Sequence, residues 1–81
     1  MTYIATFFTH FGAIEFKRAC ASRAWEARLS PVPRSLSSSC GTCVIFKTDD
    51  VPSPVDATED TEQIVRDEDG VYTVLYRAEG S

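Results

Sequence analysis

Two cysteines two residues apart, Cys40 and Cys43, follow three consecutive serines in the stretch PRSLSSSCGTCVIF, residues 33–46. A thiol does chemistry as the thiolate, which a free cysteine reaches near pH ~8.5 unless its neighbours favour the anion earlier. This stretch is rich in such neighbours. Ser37, Ser38 and Ser39 bring hydroxyl donors, the backbone N–H groups of Ser38, Ser39 and Gly41 can form an anion-binding concavity, and Arg34 adds a fixed positive charge. Gly41 permits a turn with positive φ or a close backbone approach. Oxidoreductases with a Cys-x-x-Cys pair place the first thiol at a helix N-terminus. Here Val44-Ile45-Phe46 reads as strand, so the sequence predicts no helix dipole at the pair. Cys40 falls in the polar loop and is expected to be accessible. Cys43 falls on the strand, where one sheet face or the other receives it.

The remaining ligand-type residues are few. Cys20 lies on an apolar stripe and reads as a small core hydrophobe. His10, the only histidine, stands at a strand-to-helix junction, where a loop or capping role is the ordinary one. A structural zinc site takes four ligands, and this chain has one Cys-x-x-Cys and no second pair. A metal site built on the pair would need Cys20, His10 or another subunit. It stays open as an alternative, but no metal and no cofactor is assigned.

The positioning elements follow from composition and pattern. Eighty-one residues make a single domain, 1–81, that buries only about 60–65% of the surface its unfolded chain exposes. Acids outnumber bases twelve to eight, for a net charge of -4, which argues against nucleic acid as a partner. The acids concentrate in residues 49–69, whereas Lys17, Arg18, Arg23, Arg28 and Arg34 make residues 15–34 basic. No apolar run approaches the ~18–20 residues that span a bilayer, so no membrane association is expected. Three cysteines, an odd number without a secretory signal, favour thiols, a metal or redox chemistry over a disulfide framework, with the cytoplasm as the expected compartment.

Thr2–Phe8 is β-branched and aromatic, a first strand. Thr9 is a plausible N-cap for a helix over 12–24, with Ala13, Phe16, Cys20 and Ala24 at helical spacing. Glu26–Val32 reads as a second strand ending at the prolines, and Thr42–Lys47 as a third. Asp56, with Glu59 at the capping-box position, predicts a short acidic helix to about Arg66. Asp69-Gly70 is a turn. Val71–Arg77 is a fourth strand, with Val71, Thr73 and Leu75 on one face and Tyr72, Val74 and Tyr76 on the other. The order β-α-β-β-α-β predicts an α+β, ferredoxin-like fold: a four-stranded antiparallel sheet with both helices on one face and the first and third strands central. Its other face would be bare, with Tyr3, Phe7, Tyr72 and Tyr76 as candidates to line it. Heavy-metal chaperones join this fold to Cys-x-x-Cys between the first strand and helix, where this chain has Thr9-His10-Phe11-Gly12 and no thiol.

The opening TYIATFFTHFGAI and the block SPVPRSLSSSCGTCVIF resemble the family of selenium/sulfur carrier-like proteins. Its hallmark, a Pro-x-Pro-Arg segment followed by Ser-Ser-Ser-Cys-Gly, is matched by Pro31, Pro33, Arg34, Ser37, Ser38, Ser39, Cys40 and Gly41. The resemblance covers most of the first fifty residues. It implies a non-enzymatic carrier that holds sulfur or selenium on Cys40 and exchanges it with donor and acceptor proteins. The persulfide or selenosulfide is an anion at neutral pH, which suits a loop rich in hydrogen-bond donors. Cys43 could then release the cargo by attacking Cys40. The competing reading is a ferredoxin-like interaction or regulatory module, in which the cysteines are incidental. A homodimer is compatible with either.

Overall fold

The computed structural model describes residues 1–36, 38–50, 52 and 58–78. Its elements are β1 (Thr2–Phe7), α1 (His10–Ser22), β2 (Glu26–Pro31), β3 (Thr42–Lys47), β4 (Thr61–Glu68) and β5 (Val71–Arg77). The strands form one antiparallel sheet in the order β2-β3-β1-β4-β5. The fold is α+β, but it has one helix and five strands among the described residues instead of two helices and four strands. β1 and β3 are neighbours, as expected, with Thr6 opposite Cys43.

The difference lies at β4. The expected acidic helix is strand from Thr61 onward, after a turn at Glu59-Asp60. Its proposed cap, Asp56, lies outside the described residues. The reason is on the chain itself. Asp69 and Gly70 both have positive φ (53° and 86°), and Glu68 pairs with Val71 across them. That is a two-residue hairpin turn whose twist suits two flanking strands. With β5 waiting on one side, Ile64 and Val65 bury better as strand residues than as part of a short polar helix.

β1 is buried on both faces because it is the central strand. Its residues Tyr3, Ala5 and Phe7 join Val44, Phe46 and Ile64 under the helix, which contributes Ala13, Phe16 and Cys20. Phe46 is the hub. Its ring lies 5.3 Å from Phe16, 5.5 Å from Tyr3 and 5.7 Å from Trp25, centroid to centroid. Tyr3 and Phe7 are therefore core residues and do not line a bare face. The second face is not bare at its centre either, because Ile4, Cys43 and Val65 are covered there by Val32, Leu36, Ile45 and Tyr72. Tyr76 also changes sides. A register shift in β4–β5 pairs Val65 with Val74 but Ile64 with Tyr76, so Tyr76 packs on the helix-side core beside Leu75.

Thr9 caps α1 as expected, its hydroxyl accepting from Gly12 N–H at 3.0 Å. The helix begins two residues earlier than predicted and stops at Ser22. Ala24 lies beyond it with φ 60°, exposed, so it is not on the buried stripe. Trp25 N–H then returns to Cys20 O at 2.9 Å and Ala24 N–H to Ala21 O at 3.0 Å, a left-handed helix stop. At the other end Gly12 is buried against Asp60, and an added Cβ would collide with the Asp60 side chain. Phe8 N–H holds Asp60 O at 2.8 Å, which keeps Asp60 from yielding. Gly12→Ala is thus expected to lower stability by about 1–3 kcal/mol, read as a lower urea midpoint, although alanine is the better helix former.

Candidate functional site

β2 and β3 are two arms of one long hairpin, and the cysteine loop is its connection. Pro31 pairs with Thr42, and Val32 N–H reaches Gly41 O at 3.2 Å, so the loop is pinched shut at its base. Pro33–Leu36 closes a turn through Leu36 N–H to Pro33 O at 3.0 Å. Arg34 sits exposed on that turn, and among the described residues no hydrogen bond or ion pair ties it to Cys40. Leu36 folds over the second sheet face. Ser37 lies outside the described residues. Gly41 has φ 75°, so it serves as a left-handed turn residue, and the space where a Cβ would project is open. The positive φ of the expectation is found; the close approach is not.

Cys40 is half-buried and packs against the rim of the helix-side core. Its Sγ donates to Thr42 O at 3.4 Å, a bond open to the thiol and not to the thiolate. Ser38 Oγ stands 4.0 Å from the same sulfur and donates to Phe7 O at 3.4 Å. Ser39 faces elsewhere. Its N–H and Oγ–H both donate to the Glu62 carboxylate, at 3.2 and 2.9 Å. Ser39 thus gives both of its donors to a carboxylate, and Ser38 gives its hydroxyl proton to a backbone carbonyl. His10, the first residue of α1, is exposed and places Nδ1 3.2 Å from Thr42 Oγ1. The helix start therefore lies beside the loop, which the absence of a helix after Cys43 had concealed.

Cys43 is a different kind of thiol. It is fully buried on the opposite sheet face, with Ile4 and Val65, and its Sγ lies 3.7 Å from Pro31 O. Burial pushes its thiol above the ordinary value; the Arg28 guanidinium partly opposes this, and the neighbouring Cys40 adds to it. All three cysteines are free, and Cys20 is core, as its stripe implied.

A testable pH dependence follows. The folded chain keeps the Cys43 proton at a pH where the unfolded chain, titrating near the ordinary ~8.5 of a free cysteine, has begun to lose it. The folded state then binds more protons than the unfolded one, so stability falls as pH rises through and above that value. Urea midpoints should decline between about pH 8 and about pH 10, and the decline should be shallower in Cys43→Ala.

Glu62 is the residue that sequence reading missed. One acid among twelve carries no signal of position. Its placement comes from a bulge, because Thr6 pairs with Gln63 while Phe7 pairs with Thr61, leaving Glu62 as the extra residue of β4. Its Oε1 also accepts from the buried Thr6 hydroxyl at 3.3 Å. An open groove of about 600 Å³ adjoins it between the loop and the β4–β5 hairpin, with Ser35, Leu36, Tyr72 and Arg77 on its walls. Among the described residues no three His, Cys, Asp or Glu side chains come together as a metal set. No described helix is long and apolar enough to cross a membrane.

The family model described as "Putative Se/S carrier protein-like" matches residues 2–76, from the first residue of β1 through α1 and the cysteine loop to the last residue but one of β5. The chain belongs to that family. No curated protein and no solved structure matches it. The loop and the start of β3 together carry two of the chain's three thiols, Cys40 and Cys43. The structure separates its two thiols: one on the rim, among hydrogen-bonding groups, and one sealed beneath the sheet.

Proposed function

We propose that the protein is a non-enzymatic carrier of sulfur or selenium, with Cys40 as the single acceptor. The observation that carries this reading is the unequal burial of the thiols: Cys40 alone is partly open to solvent, whereas Cys20 and Cys43 are buried. Family membership supports the class of cargo.

In the transfer, the Cys40 thiolate attacks the outer sulfur of a persulfide on a donor protein. A new S–S bond forms at Cys40 Sγ and the donor's own S–S bond breaks. The electron pair of that bond stays on the donor sulfur, which takes up the proton Cys40 gave up. Cys40 then bears the outer sulfur as an anion, and the exchange involves no net oxidation. Release repeats the step with an acceptor thiolate as attacker and Cys40 as leaving group. An outside thiol suits the geometry better than Cys43, whose sulfur is buried on the other face and whose proton is held by burial. Ser38 Oγ lies 4.0 Å from the Cys40 sulfur to which the cargo would be attached. Arg34 and Ser37 keep the role of cargo-binding residues as part of this proposal, as does Gly41, whose positive φ shapes the turn next to Cys40.

The test is intact-mass analysis of the protein after incubation with a cysteine desulfurase and cysteine, followed by peptide mapping. The expected result is a gain of one sulfur atom located on the Cys40 peptide. An unmodified protein, under conditions that load an established carrier, would overturn the reading.

A further inference from the structure

We infer that Glu62 is a positioning residue for the Cys40 loop: its carboxylate holds both donors of Ser39 in the unloaded protein and gives them up to the anionic outer atom when Cys40 is loaded. The hold itself stands on geometry; the exchange rests on the carrier reading above.

Three observations carry it. The bulge in β4 takes Glu62 out of the ladder register, and bulges re-aim side chains in this way. Its main chain is pinned there by Ala78 N–H to Glu62 O at 2.9 Å. Its two carboxylate oxygens then form a fork on one residue: Oε1 takes Ser39 N–H at 3.2 Å, and Oε2 takes Ser39 Oγ–H at 2.9 Å. Ser39 immediately precedes Cys40, and a carried sulfur extends the side chain by about 2 Å, one S–S bond. Ser38 Oγ, 4.0 Å from Cys40 Sγ, already donates to Phe7 O, so the donors of the adjacent Ser39 are the loop's other supply for such an anion.

The exchange has a physical cause. A carboxylate and a persulfide anion competing for the same two donors repel each other. Both cannot keep Ser39. Glu62 retains a partner when it lets go, because the Thr6 hydroxyl still donates to Oε1. The carboxylate therefore stands in the unloaded protein as a placeholder for the charge of the cargo.

Glu62→Gln tests this, since it keeps the shape and one acceptor but removes the charge. Cys40 in the unloaded protein is alkylated with neutral iodoacetamide and with anionic iodoacetate. The variant is expected to raise the iodoacetate rate about threefold more than the iodoacetamide rate. Equal changes in both rates would reduce Glu62 to a structural residue and overturn its hold on the loop. Next, the lifetime of the loaded Cys40 is measured against a small thiol. It is expected to lengthen about threefold in Glu62→Gln, where the charge is gone and one Ser39 donor loses its acceptor, and to shorten about twofold in Ser39→Ala, where one donor is gone. An unchanged lifetime in both, or a change of the same sign in both, would overturn the exchange. Ser39 is exposed, so its variant also serves if Glu62→Gln fails to fold. A wild type that never loads sulfur refutes the carrier reading instead, and the ratio of alkylation rates still decides what Glu62 does.

Discussion

Cys40→Ser is expected to lose sulfur loading completely, while Cys43→Ser and Cys20→Ser load as the wild type does. An oxygen cannot hold a sulfane sulfur, so the loss at position 40 is one of chemistry and not of degree. Serine is close in size to cysteine, can still donate to Thr42 O, and sits at a half-buried position, so the fold should survive the change. Cys43 and Cys20 provide the contrast. Each is nine-tenths or more buried, with 0% and 1% of its surface open, and a donor protein cannot bring a persulfide to a sulfur it cannot touch. Both buried variants will cost stability, because a hydroxyl replaces a packed sulfur. Loading should therefore be measured at a temperature where circular dichroism shows them folded. Sulfur found on a Cys40→Ser protein would move the site elsewhere.

Phe46→Ala is expected to be the most damaging single change for the fold. The ring lies between Tyr3, Phe16 and Trp25, so it joins β1, α1 and the start of β2 through one side chain. Removing a buried phenylalanine costs about 3–5 kcal/mol when the cavity cannot collapse, and three aromatic rings set by separate elements resist collapse. A domain of this length holds only about 4–12 kcal/mol in total. The variant should lose most of its cooperative melting transition, whereas Phe46→Leu should keep it at a lower midpoint. A Phe46→Ala protein that melts within a few degrees of the wild type would show that the hub role is overstated.

Much of this could be read from the chain before its shape was known, and the exceptions share a cause. Thr9 as a cap, β3 at Thr42–Lys47 and β5 at Val71–Arg77 are local matters, decided by a hydroxyl or by alternating β-branched residues. The stretch from Asp56 to about Arg66 reads as helix in sequence because Asp56 and Glu59 look like a cap and capping box. The overriding signal was the Asp69-Gly70 pair, which asks for a strand on each side; only Ile64 and Val65 marked the first of them. The cysteine loop was legible as a site, but not the use of its donors. Ser39's engagement depends on Glu62, which depends on a bulge between strands that lie far apart in sequence, and no local pattern records it. The two thiols looked like a pair by spacing. The pleat of β3 separates them, since Cys43 turns to the face away from the helix.

The strand order has a kinetic consequence. β1, at the centre, finds both of its partners late in the chain, in Thr42–Lys47 and Thr61–Glu68. Loop closure must be completed before the middle of the sheet yields any stabilisation, so contact order is high and folding belongs to the millisecond-to-second class. The hairpin of β4 and β5 needs only its own two-residue turn and can form within about 1–10 μs. Assembly is then expected to begin from that ribbon and to finish when β1 is captured between it and β3. The cysteine loop takes its final shape in the same step, because Glu62 and Ser39 meet only once β1 lies between them.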